Sequence, residues 1–276
     1  MRYLHARLSA AGRTPRPARA PSVAPRMSRT DLVALWLVGA VLLTMPWFAV
    51  VSRRRPVDPD VARRPTTALL GYWIRDWTMW VIGPVDRALA RARVSPTVLN
   101  FVGGALGLAA GGAYAFGALA LGGWLVLLGG AADIFDGRVA RALGVASAYG
   151  DFLDSTIDRF AESFVFVGIA VFVAGSRWMA FATGLALAGS LLVSYTRARG
   201  EILGIDSAGG LMQRAERLVL LAVASLLDAP VAAAAGWRAG ALLAGVMAVI
   251  GAGSVATAVY RAAYIARTLR AGRGAA

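Results

Sequence analysis

Thirty-nine consecutive residues, Val94 to Ala132, carry no charged side chain. At ~1.5 Å per residue, one helix of that length would be about twice as long as a bilayer's hydrocarbon core is thick. The run must therefore fold back on itself as two spans, and the glycine-containing stretch from Phe116 to Gly123 is the expected turn. The rest of the chain has the same character, with 58% hydrophobic residues and a mean hydropathy of +0.62. That composition is too apolar for an ordinary soluble domain and points to a polytopic membrane protein.

Further apolar runs predict helices over 149–175, 178–199, 212–229 and 238–262, completing a six-helix transmembrane core. An extra uncharged run at 32–52 is long enough to cross a bilayer. Between it and the core lie the linker arginines Arg53, Arg54, Arg55, Arg63 and Arg64. Residues 66–93 then mix Trp73, Trp77 and Trp80 with Arg75, Asp76, Asp86 and Arg87. That mixture suits an amphipathic helix lying in the membrane interface rather than crossing it. The fold expected is all-α and polytopic. A disordered basic tail occupies 1–30, the extra span and linker 31–65, and the functional domain 66–276.

The formal charge of +14 comes from arginine alone, since the chain has no lysine. The arginines gather at the ends of apolar runs, where a cytoplasmic bias and anionic lipid explain them, so no nucleic-acid partner is expected. There is no cysteine, and the one histidine, His5, lies in the polar tail. Thiolate chemistry is excluded, and a general base in the body of the chain is expected to be a carboxylate.

Carboxylates are concentrated between Asp133 and Asp158. Asp133 and Asp136 are three residues apart at the end of one helix, and Asp154 and Asp158 are four apart at the start of the next, so each pair shares a face. A short link would bring the two pairs together at one membrane surface. Four carboxylates crowded there repel one another and are costly to bury unpaired. Two divalent cations of the Mg²⁺ or Mn²⁺ type would balance them and form a clamp suited to phosphoryl chemistry. Ion pairs with Arg138, Arg141 and Arg159 are the alternative, and a divalent-cation transporter would also use intramembrane aspartates. Asp151 shares the third helix's first turns and is either a supporting acid or a solvated one.

The pattern Asp133-x2-Asp136-Gly137-x2-Ala140-Arg141-x8-Gly150-x3-Asp154-x3-Asp158 resembles, at all eight fixed positions, the signature of the CDP-alcohol phosphatidyltransferase family. The resemblance extends over roughly residues 66–270. It implies a six-helix membrane enzyme, usually dimeric, that moves a phosphatidyl group from CDP-diacylglycerol to an alcohol and releases CMP. It further implies Asp133, Asp136, Asp154 and Asp158 as metal ligands, with Asp158 alternatively the catalytic base. Gly137 and Ala140 would leave room for the nucleotide, Arg141 would contact it, and Gly150 would permit close helix approach. Asn100, where the family often has threonine, would lie at the donor site.

The segments Ser194–Glu201 and Gly210–Leu218 are similar to those of phosphatidylinositol phosphate synthases, which implies inositol 1-phosphate as acceptor. Arg197 and Arg217, then Arg214, Arg199 and Arg261, would hold its phosphate, a task suited to a planar, permanently charged guanidinium. Gly200 and Gln213 depart from the relatives' usual alanine and glutamate, and glycerol 3-phosphate is the competing acceptor. The expected location is the cytoplasmic membrane, with the site facing the cytosol. With that orientation, the seven arginines of residues 1–30 would lie outside if 32–52 spans, against the usual charge bias. A native start at Met27, or a break at Pro46, would relieve the conflict.

Overall fold

The computed structural model describes residues 29–62, 70–207 and 209–273. The expectations for the tail, Met27 and the linker's Arg63 and Arg64 lie outside them. Ten α-helices are formed among these residues: α1 (Arg29–Leu42), α2 (Thr44–Val51), α3 (Pro59–Ala62), α4 (Tyr72–Arg91), α5 (Pro96–Ala115), α6 (Leu119–Leu143), α7 (Ala148–Phe172), α8 (Arg177–Ile202), α9 (Arg214–Ala235) and α10 (Ala241–Arg273).

Six helical segments are long and apolar enough to cross a membrane: Asp31–Arg54, Pro96–Ala115, Leu119–Leu143, Arg177–Ile202, Arg214–Ala235 and Ala241–Gly272. The remaining core helix, α7, is as long as α6. It carries Asp151, Asp154, Asp158 and Glu162 within its first fifteen residues and packs along α5. The protein is a multi-pass membrane protein with a six-helix core, α5 to α10.

Within that core α5 lies against α6 and α7, α8 pairs with α10, and α9 joins α6 to α10. The α5–α7 contact is backbone on backbone. A methyl group at Gly107 would strike Ala161, and one at Gly168 would strike the backbone of Gly111. Small residues at such a crossing let two membrane helices approach closely, so that packing replaces the missing hydrophobic drive. Several polar groups inside the bundle are satisfied locally. Tyr114 and Ser225 share a hydrogen bond of 2.7 Å, and Asp228 accepts from the free N–H groups of Gly240 (2.6 Å) and Leu243 (3.1 Å) at the start of α10.

Three expected boundaries move. The turn after α5 is confined to Phe116–Ala118, while Gly122 and Gly123 belong to α6. Those glycines serve packing, because a Cβ on Gly122 would sit 2.8 Å from the Tyr114 ring. The run 32–52 is one apolar stretch of two helices, interrupted at Leu43. Pro46 has no N–H to give the carbonyl of Leu42, so the α-helical ladder lapses there. The last helix continues past 262 to Arg273, since charge ends a span without ending a helix.

The interfacial helix is α4, and the N-terminal helices rest on it. Phe48, fully buried, packs between Trp73 and Trp80 with ring centroids 5.5 and 5.6 Å away, and the Trp77 indole donates to Thr44 Oγ1 at 2.9 Å.

Candidate active site

The α6–α7 hairpin places the aspartates. Gly144 adopts φ +69°, a left-handed conformation that only glycine takes without strain. Its N–H bonds to the Arg141 carbonyl at 3.2 Å, and the next N–H, of Val145, reaches the Ala140 carbonyl at 2.9 Å. This closing pattern ends α6 sharply. Three residues later Ser147 caps α7, its hydroxyl accepting from the Gly150 N–H at 3.2 Å. Gly150 meets nothing closer than that hydroxyl, so its part is in the cap rather than in a tight helix crossing.

This geometry sets Asp133 and Asp136 on α6 opposite Asp154 and Asp158 on α7. One oxygen from each of Asp133, Asp154 and Asp158 lies within 4.8 Å of the other two. Asp136 is buried, and its Oδ2 and the Oδ1 of Asp154 are buried without a hydrogen-bond partner. The four carboxylates and Asn100 line one cavity of about 40 Å³, together with Arg214 and Arg217. Asn100 is itself buried and donates to the Pro96 carbonyl at 3.4 Å. A space of this size takes ions or a water, not a nucleotide.

Among the described residues, the arginines named in the ion-pair alternative make no ion pair with the cluster. Arg138 pairs with Asp86 (2.8 Å), Asp60 (2.9 Å) and Asp58 (3.2 Å), Arg141 pairs with Asp60 (3.0 Å), and Arg159 donates to the carbonyl of Ser155. The cation that does reach the cluster is Arg214. Its Nη1 is 2.7 Å from Asp133 and its Nη2 2.5 Å from Asp158. One guanidinium leaves most of four carboxylates' charge unbalanced. The two orphaned oxygens, with an all-oxygen donor set, fit a hard divalent cation.

The five arginines expected to bind the acceptor take different positions. Arg214 is engaged by the aspartates, a correction to its expected place on a phosphate. Arg217 is almost fully buried and held by Glu162 at 2.7 and 3.1 Å, which corrects the picture of an open, basic helix end. Arg261, also buried, donates to the carbonyls of Gly209 (2.8 Å) and Val193 (3.0 Å), tying α10 to α8 and to the loop before α9. Arg197 and Arg199 are exposed, Arg197 pairing with Glu201 at 2.8 Å. Gly137 and Ala140 are half-buried, and the nearest atom to a Cβ on Gly137 would be the mobile end of Arg141, at 3.3 Å. Asp151 is exposed, outside the cluster.

Sequence reasoning missed Glu162 and the acids Asp58 and Asp60. For Glu162 a signal existed: Asp154, Asp158 and Glu162 continue at intervals of four along one face. For the other two no spacing rule linked them to α6.

Comparisons with known proteins give the family. The family model described as CDP-alcohol phosphatidyltransferase matches residues 93–260. A phosphatidylinositol phosphate synthase of Streptomyces avermitilis is 37% identical over 182 residues, covering 64% of this chain and 72% of the relative. An archaetidylinositol phosphate synthase of Methanothermobacter thermautotrophicus is 38% identical over 143 residues, covering 51% and 71%. The crystal structure of Mycobacterium tuberculosis phosphatidylinositol phosphate synthase with CDP-DAG bound superposes with a TM-score of 0.58 at 30% identity, covering 66% of this chain and 92% of that one. A second structure of that enzyme, in complex with manganese and citrate, matches equally well, with a TM-score of 0.58. Carboxylates on two facing helix ends, an oxygen donor set suited to divalent cations and a family match from residue 93 to residue 260 lead to one conclusion: the chain belongs to the CDP-alcohol phosphatidyltransferase family, and is a transferase.

Proposed function

We propose that the chain transfers a phosphatidyl group from CDP-diacylglycerol to inositol 1-phosphate, releasing CMP. The observation that carries this reading is the facing pair of carboxylate sets, with two buried oxygens lacking partners, in a chain whose relatives are named phosphatidylinositol phosphate synthases. Asp133, Asp136 and Asp154, with Asp158, would hold two Mg²⁺ or Mn²⁺ ions, and such ions supply charge neutralisation at the phosphates of the donor.

The chain's own groups do the rest. Gly137 and Ala140 keep the α6 face low enough for the nucleotide, Arg141 binds it, and Asn100 lines the ion-sized cavity with the aspartates. Asp158 is the group placed to take the acceptor's hydroxyl proton, as that oxygen bonds to the phosphatidyl phosphorus and the bond to CMP breaks. Arg214 keeps Asp133 and Asp158 oriented between α6 and α7. Arg197, Arg199 and Arg261 supply the positive field for the acceptor phosphate, Arg217 being neutralised by Glu162. The domain runs from residue 66 to the C-terminus, sits in the cytoplasmic membrane with the aspartates facing the cytosol, and works as a homodimer.

Purified protein with CDP-diacylglycerol and Mg²⁺, offered inositol 1-phosphate, glycerol 3-phosphate and serine in parallel, tests the reading. CMP release and a lipid product of phosphatidylinositol phosphate mass, with inositol 1-phosphate alone, are expected. Turnover with glycerol 3-phosphate in preference would overturn the acceptor and leave the reaction class intact.

A further inference from the structure

A second, larger cavity lies on the far side of α6 from the aspartates. Its volume is about 570 Å³, within the range of small-molecule and lipid-headgroup sites. Thr44 at the head of α2, Arg55 and Asp58 of the linker, Met79, Trp80 and Arg87 of α4, and Arg138 of α6 form its walls. Arg138 follows Asp136 by two residues, about 200° round the helix, so the cavity and the aspartate site look away from each other. Four of these wall residues, Thr44, Arg55, Asp58 and Met79, precede the segment that the family model matches. Trp80 and Arg87 precede it as well, so the site belongs to the N-terminal part of this chain.

The charges on its wall are unequally spent. Arg138 is held through Nε and Nη1 by Asp86, Asp58 and Asp60. Arg55 is not: its Nη1 is buried without a hydrogen-bond partner, and its Nη2 stands 3.7 Å from Asp76, too far for a hydrogen bond. Asp76 in turn accepts the backbone N–H of Asp58 at 2.9 Å. Arg87 is exposed and has no ion pair among the described residues. Two guanidiniums with unused donors therefore face a cavity whose other walls are the Met79 thioether, the Trp80 indole, the Thr44 hydroxyl and an Asp58 carboxylate already paired with Arg138.

Its depth indicates what kind of anion would enter. Arg55 follows directly on the apolar segment Asp31–Arg54, and α4 has the tryptophans and mixed charges of an interfacial helix. The cavity thus opens where phospholipid phosphates lie, with Met79 and Trp80 beside the start of the acyl region. Unpaired arginine at that level meets anionic headgroups, each cation contributing on the order of 1 kcal/mol.

We propose that this cavity is a resident site for an anionic phospholipid, its phosphate held by Arg55 and Arg87 and its glycerol-acyl end lying along Met79 and Trp80. The bound lipid would fasten the N-terminal span and linker to α4. The site is separate from the donor site and does not depend on which acceptor the enzyme uses.

Native mass spectrometry of the full chain, after exchange into phosphatidylglycerol or phosphatidylcholine without donor, tests it. The wild-type protein is expected to retain phosphatidylglycerol selectively. The Arg55→Gln/Arg87→Gln variant should need about thirtyfold more lipid for the same occupancy, given two lost cations. The Arg55→Lys/Arg87→Lys variant should keep most of the binding, and CMP release by all three should be similar. Arg87→Gln alone, at an exposed position, reports the same loss in part if the double variant folds poorly. Wild-type phosphatidylglycerol occupancy in the glutamine variants, or equal retention of phosphatidylcholine, would overturn the proposal. Displacement of the lipid by millimolar inorganic phosphate would overturn it too, by making the site one for free anions.

Discussion

Asp151 and Asp154 are three residues apart on α7, yet their surroundings separate them. Asp154 has a buried oxygen without a partner and lies with Asp133 and Asp158 within 4.8 Å, whereas Asp151 faces solvent. Replacing Asp154 by asparagine keeps the shape and removes one of the charges proposed to hold a cation. Asp154→Asn is therefore expected to lower CMP release by at least about a hundredfold, since loss of a metal ligand typically removes several kcal/mol of charge stabilisation. Asp151→Asn should stay within about twofold, because a surface substitution away from such features usually changes little. Steady-state assays of the two variants across a Mg²⁺ series check both, and near-normal Asp154→Asn turnover would remove that residue from the metal site. The aspartates were legible in the sequence because helical periodicity fixes which residues share a face. The arginines were not. Arg214 and Arg217 are three residues apart on the same helix, and one goes to Asp133 and Asp158 while the other goes to Glu162. Which carboxylate meets which guanidinium is decided by how α9 lies against α6 and α7, and no local pattern encodes that.

Between elements, the α6–α7 hairpin is what turns two helix faces into one site. The left-handed backbone of Gly144 and the Ser147 cap set the angle at which α7 starts. A β-branched residue at a positive φ costs about 1–2 kcal/mol. Gly144→Val is expected to relieve that strain by reopening the turn, which draws the α7 aspartates away from those on α6. The concentration of Mg²⁺ needed for half-maximal activity should rise several-fold while the expression and detergent stability of the protein change little. A Gly144→Val enzyme with an unaltered Mg²⁺ requirement would show that helix packing alone, not the turn, aligns the carboxylates. The hairpin was foreseen because the link between the two helices, residues 142–150, is short and the helix ends on either side of it carry the paired aspartates. The extents of its neighbours were not, for a reason that Gly122 and Gly123 illustrate. Glycine breaks helices in water, but inside a membrane bundle it equally marks a place where another helix's ring or backbone approaches, and these two seat Tyr114 and the Ser225–Leu226 edge of α9. Hydropathy marks where a chain meets the bilayer surface, so it placed the end of α10 near 262 although the helix runs to Arg273.

Across the whole molecule, the N-terminal segment is keyed to the catalytic helix by charge. Asp58 and Asp60, next to each other across Pro59, reach Arg138 and Arg141 from some eighty residues away in sequence. Arg138 gains a third partner in Asp86 of α4, so linker, interfacial helix and α6 meet at one guanidinium. Arg141 is a fixed position of the family pattern and the residue proposed to bind the nucleotide, and Asp60 Oδ2 sits 3.0 Å from its Nη2. A carboxylate at that distance competes with a phosphate for the same donor, and here it does so at a half-exposed position where the pair is weak, about 0.2–1 kcal/mol. Asp60→Asn should therefore lower the KM for CDP-diacylglycerol modestly, by up to about fivefold, while leaving the acceptor's KM unchanged. The same change weakens one of three holds on Arg138 and leaves Asp58 and Asp86 in place, so the N-terminal segment should remain docked, as limited proteolysis of residues 53–62 would report. If the donor's KM stays constant while the segment stays docked, Arg141 serves to hold the linker and not the nucleotide. If the donor's KM rises instead, Asp60 orients Arg141 toward the donor rather than competing for it.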